Sequence, residues 1–195
     1  PDFHQLIKSG ILWAVGDKAR KRYDNFLASR APLKYEKRGN IPNYERRPKP
    51  LEYQLPLPPA ESMKYTQVPG GFRMELFASE PNVINPIYMT WDERGRLWVV
   101  ESVDYPNEFK YGRKGNDRIK VCEDTNGDGR ADKFTVFAEG FNMPTSMAFA
   151  RGGVILAHAP DFYFLKDTDG DDKADIREVL FTGWGVGDTH AGPSN

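Results

Sequence analysis

Residues 124–132 read Asp-Thr-Asn-Gly-Asp-Gly-Arg-Ala-Asp, and residues 167–175 read Asp-Thr-Asp-Gly-Asp-Asp-Lys-Ala-Asp. One pattern is written twice: oxygen side chains at alternate positions, with glycine letting the chain curl back. A hard cation such as calcium collects six to eight oxygens at about 2.3–2.6 Å, and this spacing supplies them. The first loop offers Asp124, Asn126, Asp128, the Arg130 carbonyl and Asp132. The second offers Asp167, Asp169, Asp171, the Lys173 carbonyl and Asp175. The bland alternative is a pair of solvated turns, which Asp and Gly favour in any case.

An EF-hand is the rival reading, and its context is wrong. The bidentate glutamate due at position 12 is Thr135 in the first loop; in the second it is Glu178, but the glycine due at position 6 is Asp172. Both loops stand between β-branched and aromatic runs, Ile119 to Glu123 and Phe134 to Phe137 around the first, Phe162 to Lys166 and Val179 to Phe181 around the second. Such runs read as strands. The loops lie 43 residues apart, the length of one propeller blade.

Outward from the loops the same unit recurs. Tyr88 to Trp91, the turn Asp92 to Gly95 and Arg96 to Glu101 match Ser146 to Phe149, the turn Ala150 to Gly153 and Val154 to Ala157. Phe72 to Phe77 also alternates as a strand does. With the strands around each acidic loop this gives four per unit, A to D, and a mainly β fold: two blades, about 84–139 and 145–183, of a β-propeller. Natural propellers close with about four to eight blades. Two cannot close, so the expected partners of this chain are the remaining blades, from further sequence or from another chain.

The N-terminal part reads differently. Asp2 is placed to cap a helix whose apolar positions Phe3, Leu6, Ile7, Ile11 and Val15 keep a helical period, with Gly16 to end it and a second, more polar helix from Lys18 to Leu27. Residues 31–69 hold eight of the fifteen prolines, the mark of an extended linker. The expected organisation is a helical tail over 1–30, a proline-rich linker over 31–69, and over 70–195 two blades with the start of a third.

Composition bounds the function. The net charge is -1, but residues 1–50 hold twelve Lys/Arg against five Asp/Glu, so residues 51–195 carry a negative balance. The basic residues are scattered among prolines without a nucleic-acid motif. No apolar run approaches the ~18 residues of a membrane span. The single Cys122 leaves no internal disulfide or CxxCH haem site and reads as a small buried residue of a strand. Calcium loops favour a periplasmic or extracellular setting.

Two resemblances extend this reading. Lys8 to Gly16 resembles the last helix of the trehalose-utilisation-type, glutamine-amidotransferase-like α/β domain, which implies a preceding domain. Residues 61–195 resemble the membrane-bound dehydrogenase family, large secreted bacterial proteins with a six-bladed propeller like that of quinoprotein glucose dehydrogenase, often followed by helical repeats and a haem-binding tail. The stretches that carry it are Val68 to Pro81, Trp98 to Pro106, Asp124 to Gly129 and Asp188 to Asn195. The resemblance implies oxidation of a sugar or polyol with pyrroloquinoline quinone, and it places the general base at His190. A quinone-contacting glutamine of those enzymes is replaced here by Phe141 or Asn142.

Strand order supplies a separate argument. In antiparallel A-to-D blades the D–A and B–C connections emerge at one end, the A–B and C–D connections at the other. Asn142, Pro144, Glu101, Asp104, Tyr105, His158, Asp161, Asp188 and His190 should therefore share one end, with both acidic loops at the opposite end as structural sites. Asp188 is placed to orient the His190 ring, and Glu101, Asp104, Tyr105, Asn142 and Asp161 are the candidate cofactor contacts. Asp104 and Asp161 also read as turn caps, His158 as a packing residue and His4 as solvent-facing. Two other functions fit the same scaffold: a non-catalytic calcium-stabilised propeller that binds polysaccharide or protein, and a metal-dependent hydrolase or lactonase. Fold alone does not choose among them.

Overall fold

The computed structural model describes residues 3–37, 52–104 and 114–186. The chain falls into two compact units, Pro1–Met74 and Glu75–Asn195. Asp2, Tyr105, Asp188 and His190 lie outside the described residues.

In the first unit α1 (Phe3–Ala28) breaks at Gly16, whose φ of 76° is foreign to a helix. Glycine takes that backbone at no steric cost, so the chain turns where the sequence allows it. None of the described residues of α1 is buried, so the helical period of its apolar residues is not satisfied by contacts within the unit. His4 is exposed, as expected. The described residues of the proline-rich stretch include short regular elements. β1 (Tyr35–Lys37) and β2 (Glu52–Gln54) pair antiparallel, and α2 (Pro59–Met63) follows. Pro59 sits in the first turn of α2, where its missing N–H removes no intrahelical bond.

The second unit is two four-stranded antiparallel sheets, each in sequential order. The first holds β3 (Pro86–Trp91), β4 (Leu97–Glu101), β5 (Asp117–Glu123) and β6 (Lys133–Phe141); the second holds β7 (Pro144–Ala150), β8 (Gly153–His158), β9 (Asp161–Lys166) and β10 (Ile176–Thr182). This is the predicted A-to-D order in both units. β4 reads Leu-Trp-Val-Val-Glu because it is buried on both faces, and an alternating pattern has no place there. The sheets pack face to face through Trp98, Val100, Ile119, Val121, Phe137 and Phe141 from the first, against Met147, Val154, Leu156 and Leu165 from the second. The other face of the first sheet, with Leu97, Val99 and Cys122, is covered by Phe77, Ala78 and Val83.

That cover corrects one expectation. Residues 72–77 form no strand: their alternation reflects a non-ladder segment that drops Phe77 onto the sheet, edge-on to Trp91 at 5.1 Å between ring centres. The Phe77 carbonyl accepts the Ala131 N–H of the first acidic loop at 2.9 Å. Period-two hydrophobicity alone does not make a strand: Phe72 and Met74 stay exposed, and among the described residues no strand pairs with the segment.

The β7–β8 hairpin turns on Arg151 and Gly152, both with positive φ, as a two-residue type I′ connection requires. Gly153, next to it, admits no side chain. A Cβ there would stand 2.4 Å from the Leu165 carbonyl oxygen and 3.0 Å from the Phe164 ring.

Candidate functional site

The two ends of the sheet pair differ in chemistry. The acidic loops, 124–132 and 167–175, are the third connection of each sheet and emerge at one end, as the strand order demands. Their internal bonding repeats position by position. Asp124 accepts from the N–H groups of Gly127 and Gly129 at 2.8 Å each; Asp167 accepts from those of Gly170 and Asp172 at 2.7 and 2.9 Å. Asp132 closes the first loop on Thr125, and Asp175 closes the second on Thr168. Gly127 and Gly129 have positive φ, and so do their counterparts Gly170 and Asp172. These N–H groups hold Asp124 and Asp167 below the usual carboxylate range, the Gly129 bond contributing most in the first and the Gly170 bond in the second. The Thr168 bonds do the same for Asp175.

Ligand atoms of Asp167, Asp169 and Asp175 lie within 4.8 Å of one another, the one such carboxylate group among the described residues. Hard oxygens at that spacing suit calcium. The positions matching them in the first loop are Asp124, Asn126 and Asp132, with an amide in the middle. Asp128 and Asp171 instead accept the N–H two residues on, of Arg130 at 2.9 Å and of Lys173 at 2.8 Å.

The second loop is tied to the first sheet. Arg96 donates Nε to Asp92 at 2.8 Å and Nη1 to Asp172 at 2.7 Å, and Lys133 Nζ stands 3.7 Å from Asp172. Asp92 also takes the Trp98 indole N–H at 2.9 Å. Burial works to raise the Asp92 carboxyl, but the Trp98 and Arg96 bonds outweigh it and hold it ionised.

At the opposite end the strand termini carry buried polar groups. Glu101, 0% exposed, accepts from Arg118 Nε and from the Ile84 N–H at 2.8 Å, and forms an ion pair with Lys120 Nζ at 3.1 Å. Asp117, also 0% exposed, accepts the N–H groups of Asp104 at 3.0 Å and Met143 at 2.7 Å. Burial pushes the Asp117 carboxyl up, against the pull of those bonds. Asp104 in turn holds both the backbone and the side chain of Asn116 at 2.6 Å. His158 Nε2 accepts the Asn142 N–H at 2.9 Å, and its ring packs edge-on to Phe141 and Tyr163. Asp161 accepts the Tyr163 hydroxyl at 3.1 Å.

Glu101, Asp104, Asn142, Pro144, His158 and Asp161 therefore share one end. Within it they split into a carboxylate group around Glu101, Asp104 and Asp117 and an aromatic group around His158. Asp117 is the member that sequence reading missed. Its signal was faint: an aspartate opening a strand reads as a turn residue. Cys122 is fully buried as expected, and burial pushes its thiol up to about 11. No helix among the described residues is long and apolar enough to cross a membrane.

A family model described as a domain of unknown function, DUF7133, matches residues 58–195. The chain belongs to the DUF7133 family. The DUF7133 match takes in α2 and all eight strands of the two sheets, so both acidic loops and both strand-end clusters are part of the family domain. No curated protein and no solved structure matches the chain.

The His158 arrangement predicts a pH effect. Burial, then the nearby Arg177 charge, hold the imidazole below its ordinary range, against a smaller opposing pull from Asp161; Tyr163 is the other titratable group on its ring. The unfolded chain thus takes up the proton first. The stability contributed is complete above the unfolded value of about 6.5 and is lost as pH falls through the lower folded value. His158→Gln keeps an acceptor for the Asn142 N–H without titrating. Urea midpoints measured between about pH 7.5 and 5 should fall less steeply in this variant than in the parent chain.

Proposed function

We propose that residues 75–195 are consecutive blades of a β-propeller held by structural calcium, taken from a secreted sugar or polyol dehydrogenase of the quinoprotein type. One observation carries the reading: matching acidic loops occupy the third connection of two consecutive four-stranded sheets and share an end, while the strand termini at the other end bury a polar cluster. Repetition of a loop in both sequence and hydrogen bonding supports a repeating architecture. The end opposite the loops is left for substrate, and the resemblance to the membrane-bound dehydrogenase family assigns oxidation to it.

Calcium fits the second loop through Asp167, Asp169 and Asp175. Asp169→Ala removes one of these while disturbing only a 3.2 Å bond to the Asp171 N–H. At calcium about 100-fold above its Kd the ion adds about 2.7 kcal/mol, so the variant should melt well below the parent in calcium and close to it in chelator. Asn126→Ala, the matching change in the first loop, is expected to behave likewise. Equal losses in both buffers would remove calcium from the account.

The quinone is a further step. Among the described residues of the substrate end, Arg118 and Lys120 are engaged by Glu101, and Asp104 and Asp117 by the protein's own donors. The proposal therefore places the quinone's contacts on residues other than these, with His190 taking the substrate hydroxyl proton and Asp188 orienting its ring. Pyrroloquinoline quinone, when bound, supplies the electron acceptor. The test is dye-coupled oxidation of a panel of sugars and polyols by the protein carrying the complete propeller, with and without quinone and calcium. Turnover that needs both supports the reading. Calcium-dependent stability without quinone-dependent turnover would leave the second reading, a non-catalytic binding propeller, which the internal engagement of the buried carboxylates favours.

A further inference from the structure

A cleft of about 660 Å³ opens at the acidic-loop end, between the β3–β4 turn, the β7–β8 hairpin and the second acidic loop. That volume is within the range of small-molecule sites. Its apolar floor is Trp98, Phe137 and Phe149; the first two are buried, whereas Phe149 is 39% exposed and so presents a ring that a ligand can reach.

The charged groups of the wall divide in two. Asp92, Arg96 and Asp172 are bonded to one another and belong to the contact between the sheets. Glu93, Arg94 and Arg151 are exposed, and among the described residues their side chains have neither a hydrogen bond nor an ion pair. Arg151 is also held at a φ of 52°. Asn, Asp or Gly meet that demand of a type I′ turn easily, and a long side chain does so only at a conformational cost. Local strain of this kind collects where the side chain is used.

The groups left free decide which ligand suits the cleft. With Asp167 and Asp169 assigned to calcium, and Asp92, Arg96 and Asp172 bonded to one another, Glu93 is left as an acceptor beside the donors Arg94 and Arg151. Guanidinium groups only donate and carboxylates only accept, so together around an aromatic face they match a ligand that does both. Vicinal hydroxyls do both, and the C–H face of a sugar ring packs on a phenyl ring. We propose that this cleft binds a neutral saccharide of one or two rings, with Phe149 beneath the ring and Arg94, Arg151 and Glu93 on its hydroxyls. The site is at the end opposite the proposed oxidation site and stands independently of it.

The test is saturation-transfer NMR on the 195-residue chain with cellobiose, maltose and lactose, followed by titration of each sugar that receives saturation. At least one disaccharide should bind saturably. Arg151→Gly and Glu93→Gln should each weaken it by roughly tenfold or more, the equivalent of a lost hydrogen bond to a charged group. Arg151→Gly should at the same time raise Tm, because glycine accepts the turn conformation without strain. That pairing separates a ligand contact from a mere turn residue. The proposal is overturned if none of the three sugars receives saturation, if affinity is unchanged in both variants, or if glucuronate or sulfate binds in preference to the neutral sugars.

Discussion

Glu101→Ala should lower the unfolding free energy by about 3–5 kcal/mol, the usual cost of breaking a fully buried ion pair. The Glu101 carboxylate is 0% exposed and engages Arg118, Lys120 and the Ile84 N–H. Lys120 is itself only 8% exposed, so removing the acid leaves an ammonium in the protein interior with the Asn82 carbonyl as its remaining partner. Ile84 loses its acceptor as well, one of the ties, beside the Asn85–Ser102 pair, that hold the segment before β3 against the first sheet. Glu101→Gln keeps an acceptor for Ile84 but not the charge, and should cost about 1–3 kcal/mol. The double variant Glu101→Leu with Lys120→Met should recover much of the loss, because a buried pair replaced by apolar groups of similar volume is often neutral. Urea denaturation of the four proteins decides the matter. A Glu101→Ala loss below about 1 kcal/mol would mean that water reaches this site and that the pair behaves as a surface one.

In the protein carrying the complete propeller, His190→Ala is expected to reduce quinone-dependent turnover by about 10²–10⁴-fold, the contribution of a positioned general base. The motivation is the match of His190 to the base of the quinoproteins, together with the exit path of the chain. Thr182 pairs with Asp161, and the N–H groups of Gly183 and Trp184 both donate to the Pro160 carbonyl, so the chain leaves β10 at the end away from the acidic loops. The segment that contains His190 therefore starts from the proposed substrate end. Calcium-dependent melting should be unchanged in the variant, since the acidic loops lie at the other end. A His190→Ala protein that keeps normal turnover would defeat the assignment of the base, and lost calcium-dependent stability would show that the residue acts through folding.

Much of the fold was legible in the sequence because its information is local. Alternating apolar runs, turn residues at Asp92 to Gly95 and Arg151-Gly152, and two copies of one acidic loop fix the strands and their spacing. Sequential antiparallel pairing then fixes which connections share an end, since each strand reverses the direction of the last. The separation of the acidic loops from Asn142, His158 and Glu101 therefore follows from strand order alone. Alternation over residues 72–77 suggested a strand, yet Phe72 and Met74 stay exposed and Phe77 is the residue that packs on the sheet, so the pattern there does not record burial. Nor did prolines reveal the β1–β2 ladder, which uses residues between them.

The candidate site divides along the same line. Oxygen spacing within a nine-residue loop is a property of the chain, and it marked Asp167, Asp169, Asp171 and Asp175 together, of which Asp167, Asp169 and Asp175 converge. Asp117, the Arg96 bridge to Asp172 and the cleft beside Arg151 depend on residues 13 to 76 positions apart meeting in space. No sequence period encodes such meetings. They follow from how two sheets pack once Trp98, Phe137 and Phe149 interlock, and from the need of every buried charge for a partner at hydrogen-bond distance. The strands of the two sheets, their order and the acidic loops are encoded locally along the chain; which carboxylates serve internal donors and which arginines face an open cleft follows from packing, because burial and pairing exist only after the sheets have met.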